Sequence, residues 1–527
     1  MKGSQNVKIE LKGRIDSNNA AEVEKDLLEQ LSAGAAEDVV IDAEELEYIS
    51  SAGLRVILRV RKNYPTLKII NASSEVYEIL EMTGFTEMMD VEKAYRRVSI
   101  EGCEEIGRGA NGIVYRIDQD NVVKVYHDAN GLEDIQHERE LAKLALILGL
   151  PTAISYDVVK VGDSYGSVFE LLNARSFSKI LATEPDKLDW CVKEYVDMLK
   201  KIHSIEVPEG KLPDAREIAL DWVDYVYPLF PEDKAIKLRA LVEEIPKDNH
   251  MIHGDYHTKN VELCNDEVLL IDMDTLSVGH PIIELACIFN AFIGYSEYDH
   301  NEIMDFQGFD HETAVKFFYR VMEEYLGTTC RTKIDEVVDK ARVLGYTRMY
   351  RRSHRKNLLE TEEGRAEAEM WKSELFELLD RTDTLLYSVN ELDIEALPEN
   401  LGEVQLFVEE KLEKTDCSPK AMMQINVAVE EIFINIASYA YAPDKGRATV
   451  RVEVAGDPVT VTITFIDHGI PYDPLSRQDP DVTKPAEDRE IGGLGIFLTR
   501  KIMDDLSYDY ADGKNILTLK KNLQESE

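Results

Sequence analysis

HGDYHTKNVELCNDEVLLIDMD, residues 253–274, reads as a loop, a strand, a turn and a second strand. Asp255 stands in the polar loop, Asn260 follows five residues later, and Asp272 ends the apolar run LLI. Upstream, EEIGRGANGIVYRI (104–117) sets Gly107, Gly109 and Gly112 in a G-x-G-x-x-G turn between two strand patterns. NVVKVY (121–126) places Lys124 on the next strand. The helical stretch GLEDIQHERELAKLALIL (131–148) offers Glu138 and Glu140, and Glu138 is the preferred one. Each piece alone has an ordinary explanation. A lysine in a strand is a solvated edge residue, an Asp after a strand is a turn residue, and glycine-rich turns are common.

The joint order is much less ordinary. A glycine loop, a strand lysine, a helix glutamate, Asp-x4-Asn and a further Asp are the parts of a phosphoryl-transfer site. In such a site the glycine loop covers phosphates and Lys124 reaches the α- and β-phosphates, held by Glu138. Asp255 accepts the acceptor's hydroxyl proton, and Asn260 and Asp272 ligate Mg²⁺. The form H-G-D-x4-N with I-D-x-D resembles aminoglycoside phosphotransferase-like kinases over about residues 99–330, and no A-P-E segment is recognisable. The resemblance implies use of ATP and Mg²⁺ and leaves the acceptor open between small alcohols and protein hydroxyls.

The chain has 527 residues, enough for three or four domains of roughly 100–200 residues each. Hydrophobic residues make up 44% and charged residues 31%, which excludes a wholly disordered or collagen-like chain. Lys and Arg number 60 against 101 Asp and Glu, a formal charge of −41. So acidic a chain argues against a nucleic-acid partner and against an anionic membrane surface. The basic stretch TRMYRRSHRK (347–356) lies in a helical pattern and reads as a face paired with acidic neighbours. Six cysteines without a C-x-x-C pair read as reduced and mostly buried. No histidines show metal-ligand spacing; His253 and His257 lie inside the Asp255 loop, where His253 reads as structural. No signal-peptide pattern opens the chain and no apolar run approaches about 20 residues. The expectation is a cytoplasmic protein.

Residues 1–98 alternate strand and helix signals, a small α/β pattern. Within it YISSAGLRVIL (48–58) sets Ser50, Ser51, Ala52 and Gly53 between a strand and a helix. A serine there reads most simply as an N-cap, and the same position tolerates a phosphate because a helix start favours negative charge. The stretch resembles the STAS domain of bacterial anti-sigma factor antagonists, whose Ser-Ala/Ser-Gly-Leu turn carries a regulatory phosphoserine. That resemblance implies Ser51 as the phosphorylated residue, with Ser50 where some family members carry Asp.

The last constellation lies beyond residue 390. INVAVEEIFINIASYAY (425–441) puts Glu431 and Asn435 at i, i+4, on one helix face. VTITFIDHGIPYDP (461–474) ends a strand at Asp467, with Gly469 two residues on. IGGLGIFLTRKI (491–502) supplies Gly492, Gly493 and Gly495 at a helix start, suited to phosphate. In that order they resemble the histidine-kinase-like ATPase fold, and the D-x-G-x-P turn resembles its anti-sigma factor serine kinase branch. The resemblance implies Asn435 as a Mg²⁺ ligand, Asp467 on the adenine amino group, the glycines on phosphates, Glu431 as general base, and a mobile lid between Tyr472 and Glu490.

Together the resemblances imply a multidomain α/β and α+β protein. A STAS domain occupies 1–98, a bilobal protein-kinase-like domain 99–330, a helical extension and connector 331–389, and a GHKL ATPase α/β sandwich 390–527. They further imply a bacterial regulator performing ATP-dependent serine phosphorylation, with a sigma factor or an anti-sigma or antagonist regulator as partner; homodimerisation is left open. The alternative is a small-molecule phosphotransferase, aminoglycoside- or choline-kinase-like, with regulatory flanking domains. A scaffold that only binds nucleotide fits less well, because the acid, base and metal-ligand positions are all intact.

Overall fold

The computed structural model describes residues 5–32, 36–108, 112–127, 131–413, 415, 417–476 and 494–524. The chain divides into two compact units, residues 1–139 with 154–172, and residues 140–153 with 173–527.

In the first unit, β1 (Gln5–Ile15), β2 (Ala36–Ile49), β3 (Lys68–Ala72) and β4 (Val91–Lys93) form a parallel sheet in that order. Helices α1 (Ala20–Ser32), α2 (Ser51–Asn63), α3 (Ser74–Met82) and α4 (Phe85–Met88) connect them. Period-two burial along β1 (Ile9, Leu11, Ile15) meets the i, i+3/i+4 face of α2 (Val56, Ile57, Val60) in one core. The unit's second sheet contains β5 (Arg96–Arg97), β6 (Glu104–Arg108), β7 (Gly112–Arg116), β8 (Asn121–Tyr126), β9 (Asp157–Val161) and β10 (Ser164–Glu170), in the order β5-β9-β10-β8-β7-β6. Arg96–Arg97 pair with β9, so this sheet begins before residue 98. Helix α5 (Leu132–Ile147) follows β8.

The second unit opens with short sheets: β11 (Ala174–Ser176) beside β13 (Val261–Cys264) and β14 (Glu267–Leu270), and β12 (Met251–Ile252) beside β15 (Ser277–Val278). Around them pack α6 (Phe177–Thr183), α7 (Leu188–Ser204), α8 (Ala215–Val226), α9 (Glu232–Glu243), α10 (Pro281–Phe292), α11 (Glu302–Gln307), α12 (His311–Leu326), α13 (Arg331–Arg355) and α14 (Glu362–Arg381). One continuous core joins Tyr195, Tyr256, Phe289 and Phe317 to Tyr346 of α13 and Trp371 of α14. The helices after residue 330 are therefore part of this core. α10 is buried along nearly its whole length, Glu284 and Asn290 included, which makes it a central post.

A five-stranded antiparallel sheet closes the unit, with β16 (Glu391–Glu395), β17 (Arg447–Ala455), β18 (Thr460–Asp467), β19 (Asp505–Ala511) and β20 (Lys514–Asn522) in the order β16-β17-β18-β20-β19. Its apolar face carries α15 (Leu401–Leu412), α16 (Pro419–Asn435) and α17 (Leu494–Ile502), with Phe407, Val429, Val450 and Ile463 in the shared core. Two strands here lie outside the stretches that carry the sequence motifs. β16 forms because Leu392 and Ile394 alternate into the core beside β17. β19 begins at Asp505, and the turn Asp512-Gly513, both at positive φ, folds it back on β20 as a hairpin. All six cysteines are free thiols, four of them buried. Among the described residues no helix is long and apolar enough to cross a membrane.

Candidate active sites

At the start of α2 the N-cap is Ser50, whose Oγ accepts from the Ala52 N–H at 3.2 Å. Ser51 is therefore the first helical residue and is exposed. The simple reading of Ser51 as the cap gives way: the capping bond belongs to its neighbour. Gly53 is required by packing, since a Cβ there would meet Ile49 Cγ1 at 2.7 Å and Ile15 Cγ2 at 2.8 Å.

In the first unit's second sheet, Gly107 lies at a register shift between β6 and β7. A Cβ at Gly112 would run into the Val125 carbonyl, 3.1 Å from its carbon. Gly109 lies outside the described residues. Lys124 Nζ bonds both carboxylate oxygens of Glu138, at 2.9 and 3.1 Å, with the two side chains 15% and 13% exposed. Of the two candidate glutamates, Glu138 is the one in contact. Tyr126 donates to the same carboxylate at 2.6 Å, and burial pushes its phenol well above the ordinary range, so it stays a donor.

In the second unit, the loop after β12 is held from four sides. Glu284, fully buried on α10, accepts from the backbone N–H of His253 and, at 3.1 Å, of Gly254. Thr275 Oγ1 donates to His253 O at 2.7 Å. Tyr256 and Tyr195 exchange hydroxyl-to-carbonyl bonds, each 2.8 Å. Asn260 Nδ2 donates to Asp255 O at 3.0 Å. Gly254 has φ +81°, and a Cβ there would stand 2.7 Å from Thr275 O, so only glycine fits. Burial drives the His253 pKa down to about 4, leaving a neutral ring whose Nδ1 accepts from Asp255 N–H at 3.4 Å. Burial pushes the Asp255 carboxyl upward, but the His257 hydrogen bond and the charges of His257 and Arg348 outweigh it and hold it below its ordinary value. Asp255 is thus an ionised acceptor. Ile271 N–H donates to Asn260 O at 3.0 Å, which brings the start of the Asp272 turn to Asn260. Asp272 sits in the left-handed region at φ +66°, a conformation aspartate adopts at some cost and one that recurs at functional sites.

Asn260 and Asp272 suit Mg²⁺. With Nδ2 committed to the loop, Asn260 Oδ1 remains as an oxygen donor. Among the described residues no cluster of three or more His, Cys, Asp or Glu could hold a metal. One carboxylate and one amide oxygen are the sparse donor set of a cation that keeps waters and phosphate oxygens around it. Two residues here have no local sequence signal. Glu284 is 31 positions from His253. Arg348, inside the basic stretch, donates through Nη1 to Gly254 O at 3.3 Å, across 94 positions. Of the arginines in that stretch, Arg351 pairs with Asp221 at 2.5 Å as the acidic-neighbour reading expects, but Arg348, Arg352 and Arg355 have no salt bridge among the described residues.

The last module brings its candidate residues together around α16 and the end of β18. Glu431 and Asn435 lie one turn apart at the end of α16, which continues past Asn435 as a π turn, Ile436–Ala440. Such turns concentrate at functional sites. The Glu431 carboxylate lies against Gly495 in the first turn of α17: a Cβ on Gly495 would fall on Oε2 and stand 2.7 Å from Cδ. Asp467, 6% exposed at the end of β18, accepts from Gly469 N–H at 2.9 Å and Asn515 Nδ2 at 2.8 Å. A Cβ on Gly469 would collide with the Ala440 carbonyl, so the turn after Asp467 rests directly on the π turn. Ile470 N–H donates to that same carbonyl at 2.8 Å. Asn515 of β20 also accepts from Tyr472 N–H at 3.2 Å and Tyr508 OH at 2.7 Å. The sequence reading passed over Asn515 because its partner is 48 positions away. Gly492, Gly493 and the lid residues 477–490 lie outside the described residues.

Three family models match the chain: a STAS domain over residues 1–99, a phosphotransferase enzyme family over 102–324, and a histidine kinase-like ATPase domain over 394–521. The chain is 30% identical over 102 residues to the serine/threonine-protein kinase BtrW of Bordetella bronchiseptica, covering 19% of this chain and 71% of that protein. It is 28% identical over 134 residues to the serine-protein kinase RsbW of Listeria monocytogenes, covering 24% of this chain and 84% of that protein. Among solved structures, aminoglycoside phosphotransferase APH(4)-Ia bound to ADP and hygromycin B aligns with 14% identity and a TM-score of 0.38, over 53% of this chain and 96% of that one.

Proposed function

The chain belongs to the family of the serine/threonine-protein kinase BtrW and joins a histidine kinase-like ATPase module to a STAS domain and a phosphotransferase-family domain; from this we propose that it is an ATP-dependent serine kinase operating a sigma-factor partner switch. The observation that carries the proposal is the Glu431 carboxylate seated against Gly495 at the start of α17. A helix start is where phosphates gather, so a carboxylate there is placed to take a proton from a hydroxyl attacking a bound nucleotide. The serine hydroxyl gives its proton to Glu431 as its oxygen bonds the terminal phosphorus of ATP; the bond to the β-phosphate oxygen breaks and ADP leaves. Asn435 would hold Mg²⁺, which supplies charge neutralisation on the phosphates. Asp467 would accept from the adenine amino group, with Asn515 fixing its orientation. Ser51, exposed at the first position of α2, is the proposed target, in the same chain or another copy. A phosphate there would bring about −2 charge to a partner-binding surface and release a docked regulator. The proposed partner is a sigma factor or another regulator of its switch.

The complete Asp255 loop favours a second, parallel reading, in which the central module phosphorylates a hydroxyl compound. Lys124 would hold the α- and β-phosphates, Asp255 would take the hydroxyl proton, and Asn260 and Asp272 would hold Mg²⁺. The test is phosphosite mapping of the full chain with Mg-ATP, beside Ser51→Ala, Glu431→Ala and Asp255→Ala. Phosphate on Ser51 that disappears in Glu431→Ala and persists in Asp255→Ala is expected. No phosphate on Ser51, with or without candidate regulators, would overturn the reading. Phosphate lost only in Asp255→Ala would transfer the protein-kinase role to the central module.

A further inference from the structure

Among the described cations of α13, Arg348, Arg352 and Arg355 make no salt bridge, and of these Arg348 bonds the Asp255 loop. On α13, Arg331 pairs with Asp335 at 3.0 Å, Arg342 with Glu374 at 3.0 Å, and Arg351 with Asp221 at 2.5 Å. Arg348 is half-buried and has no carboxylate within salt-bridge distance among the described residues, in a chain with 101 acidic and 60 basic side chains. Only its Nη1 is engaged, by Gly254 O at 3.3 Å and Cys287 Sγ at 2.7 Å. Its other N–H groups have no partner among the described residues and are not sealed from solvent. The Trp222 ring lies 5.5 Å from the guanidinium and backs one face of it. Gly254 directly precedes Asp255, so this cation sits beside the proposed proton acceptor of the central module.

The charges of Asp255 and Glu284 act on this guanidinium, and its uncommitted N–H groups form a planar fork of donors suited to a carboxylate or phosphate. Arg352, one turn further on, lies over Tyr295 at 5.1 Å and makes no hydrogen bond to the Asp255 loop among the described residues, so it is not an equivalent seat. We propose that Arg348 binds an anionic group on the acceptor of the central module, which makes that acceptor a small hydroxyl compound bearing a carboxylate or phosphate rather than a cationic amino sugar. The inference rests on the reading of Asp255 as the base of that module.

The experiment is calorimetric titration of the full-length protein, saturated with Mg-ADP, with D-glycerate, glycerol 3-phosphate, glycerol and kanamycin. Binding of at least one of the two anions, weakened about tenfold or more by Arg348→Ala and partly restored by Arg348→Lys, is expected for a charge-assisted contact. Glycerol and kanamycin should bind no better than in Arg348→Ala. Asp255→Asn should retain the anion binding while losing transfer from ATP, which separates failure of the anion seat from failure of Asp255 as base. Glu431-dependent phosphorylation of Ser51, followed on the same preparations, reports that Arg348→Ala is folded. Binding of neither anion, anion binding indifferent to Arg348→Ala, or tighter binding of kanamycin would each overturn the proposal.

Discussion

Gly495→Ala is expected to slow phosphorylation of Ser51 by about 100-fold without unfolding the protein. A Cβ on residue 495 would stand 2.7 Å from Glu431 Cδ, where ordinary contact begins at 3.4 Å, so Cδ must withdraw by at least 3.4 − 2.7 = 0.7 Å. The Oε2 oxygen, on which the new methyl would fall, must move further still. Misplacing a reacting group by about 1 Å costs on the order of 100-fold in rate, or about 2.7 kcal/mol of barrier. The group that yields is the end of a flexible side chain, so the backbone need not shift. Alanine also favours the helix over glycine by up to about 1 kcal/mol. The assay is the single-turnover rate of phosphoserine formation, read by mass spectrometry, with ADP affinity by calorimetry and the thermal midpoint measured on the same preparations. Slow transfer, intact ADP binding and an unchanged or raised midpoint are expected. A rate within about threefold of wild type would show that Glu431 is not the base acting from this position. Loss of ADP binding would show that the methyl closes the pocket instead of displacing the base.

Two further outcomes test the supports of each site. Burial raises the Glu284 pKa from 4.5 to about 7, so between these values the folded protein holds a proton that the unfolded chain releases. Its contribution to stability therefore falls as pH rises through that window and is constant above it. In denaturant titrations the stability gap between wild type and Glu284→Gln should move against the wild type from pH 4.5 to about 7; a gap independent of pH would refute the assignment. Asn515→Leu removes a donor to Asp467 and an acceptor for Tyr472 N–H and Tyr508 OH, and should cost about 2 kcal/mol of stability and weaken ADP binding about tenfold. An unchanged ADP affinity would separate Asp467 from nucleotide recognition.

Much of this protein is legible along the chain. The three-module order follows from hydrophobic period and glycine spacing, and family models match all three stretches. The Asp255–Asn260 spacing, the i, i+4 placement of Glu431 and Asn435, and the strand-ending Asp467 are local patterns, set by backbone geometry over a few residues. Where local signals compete, the reading slips. The edge strand β16 shows this: five residues give little pattern of their own, and the strand is fixed by its pairing with β17.

Other decisions were tertiary. Sequence offers Ser50 and Ser51 equally as caps; the strand-to-helix geometry gives the bond to Ser50 and leaves Ser51 exposed. Sequence offers Glu138 and Glu140; the seating of α5 beside β8 pairs Glu138 with Lys124. Glu284 under the Asp255 loop, Asn515 beside Asp467 and Arg348 at Gly254 are joined across 31, 48 and 94 positions. Their meeting depends on which faces pack, and on which buried polar groups then need partners. Spacing along a chain encodes what a helix turn or a strand pleat brings together, whereas long-range pairs exist only once the apolar core has closed and buried N–H groups and charges must be satisfied within it.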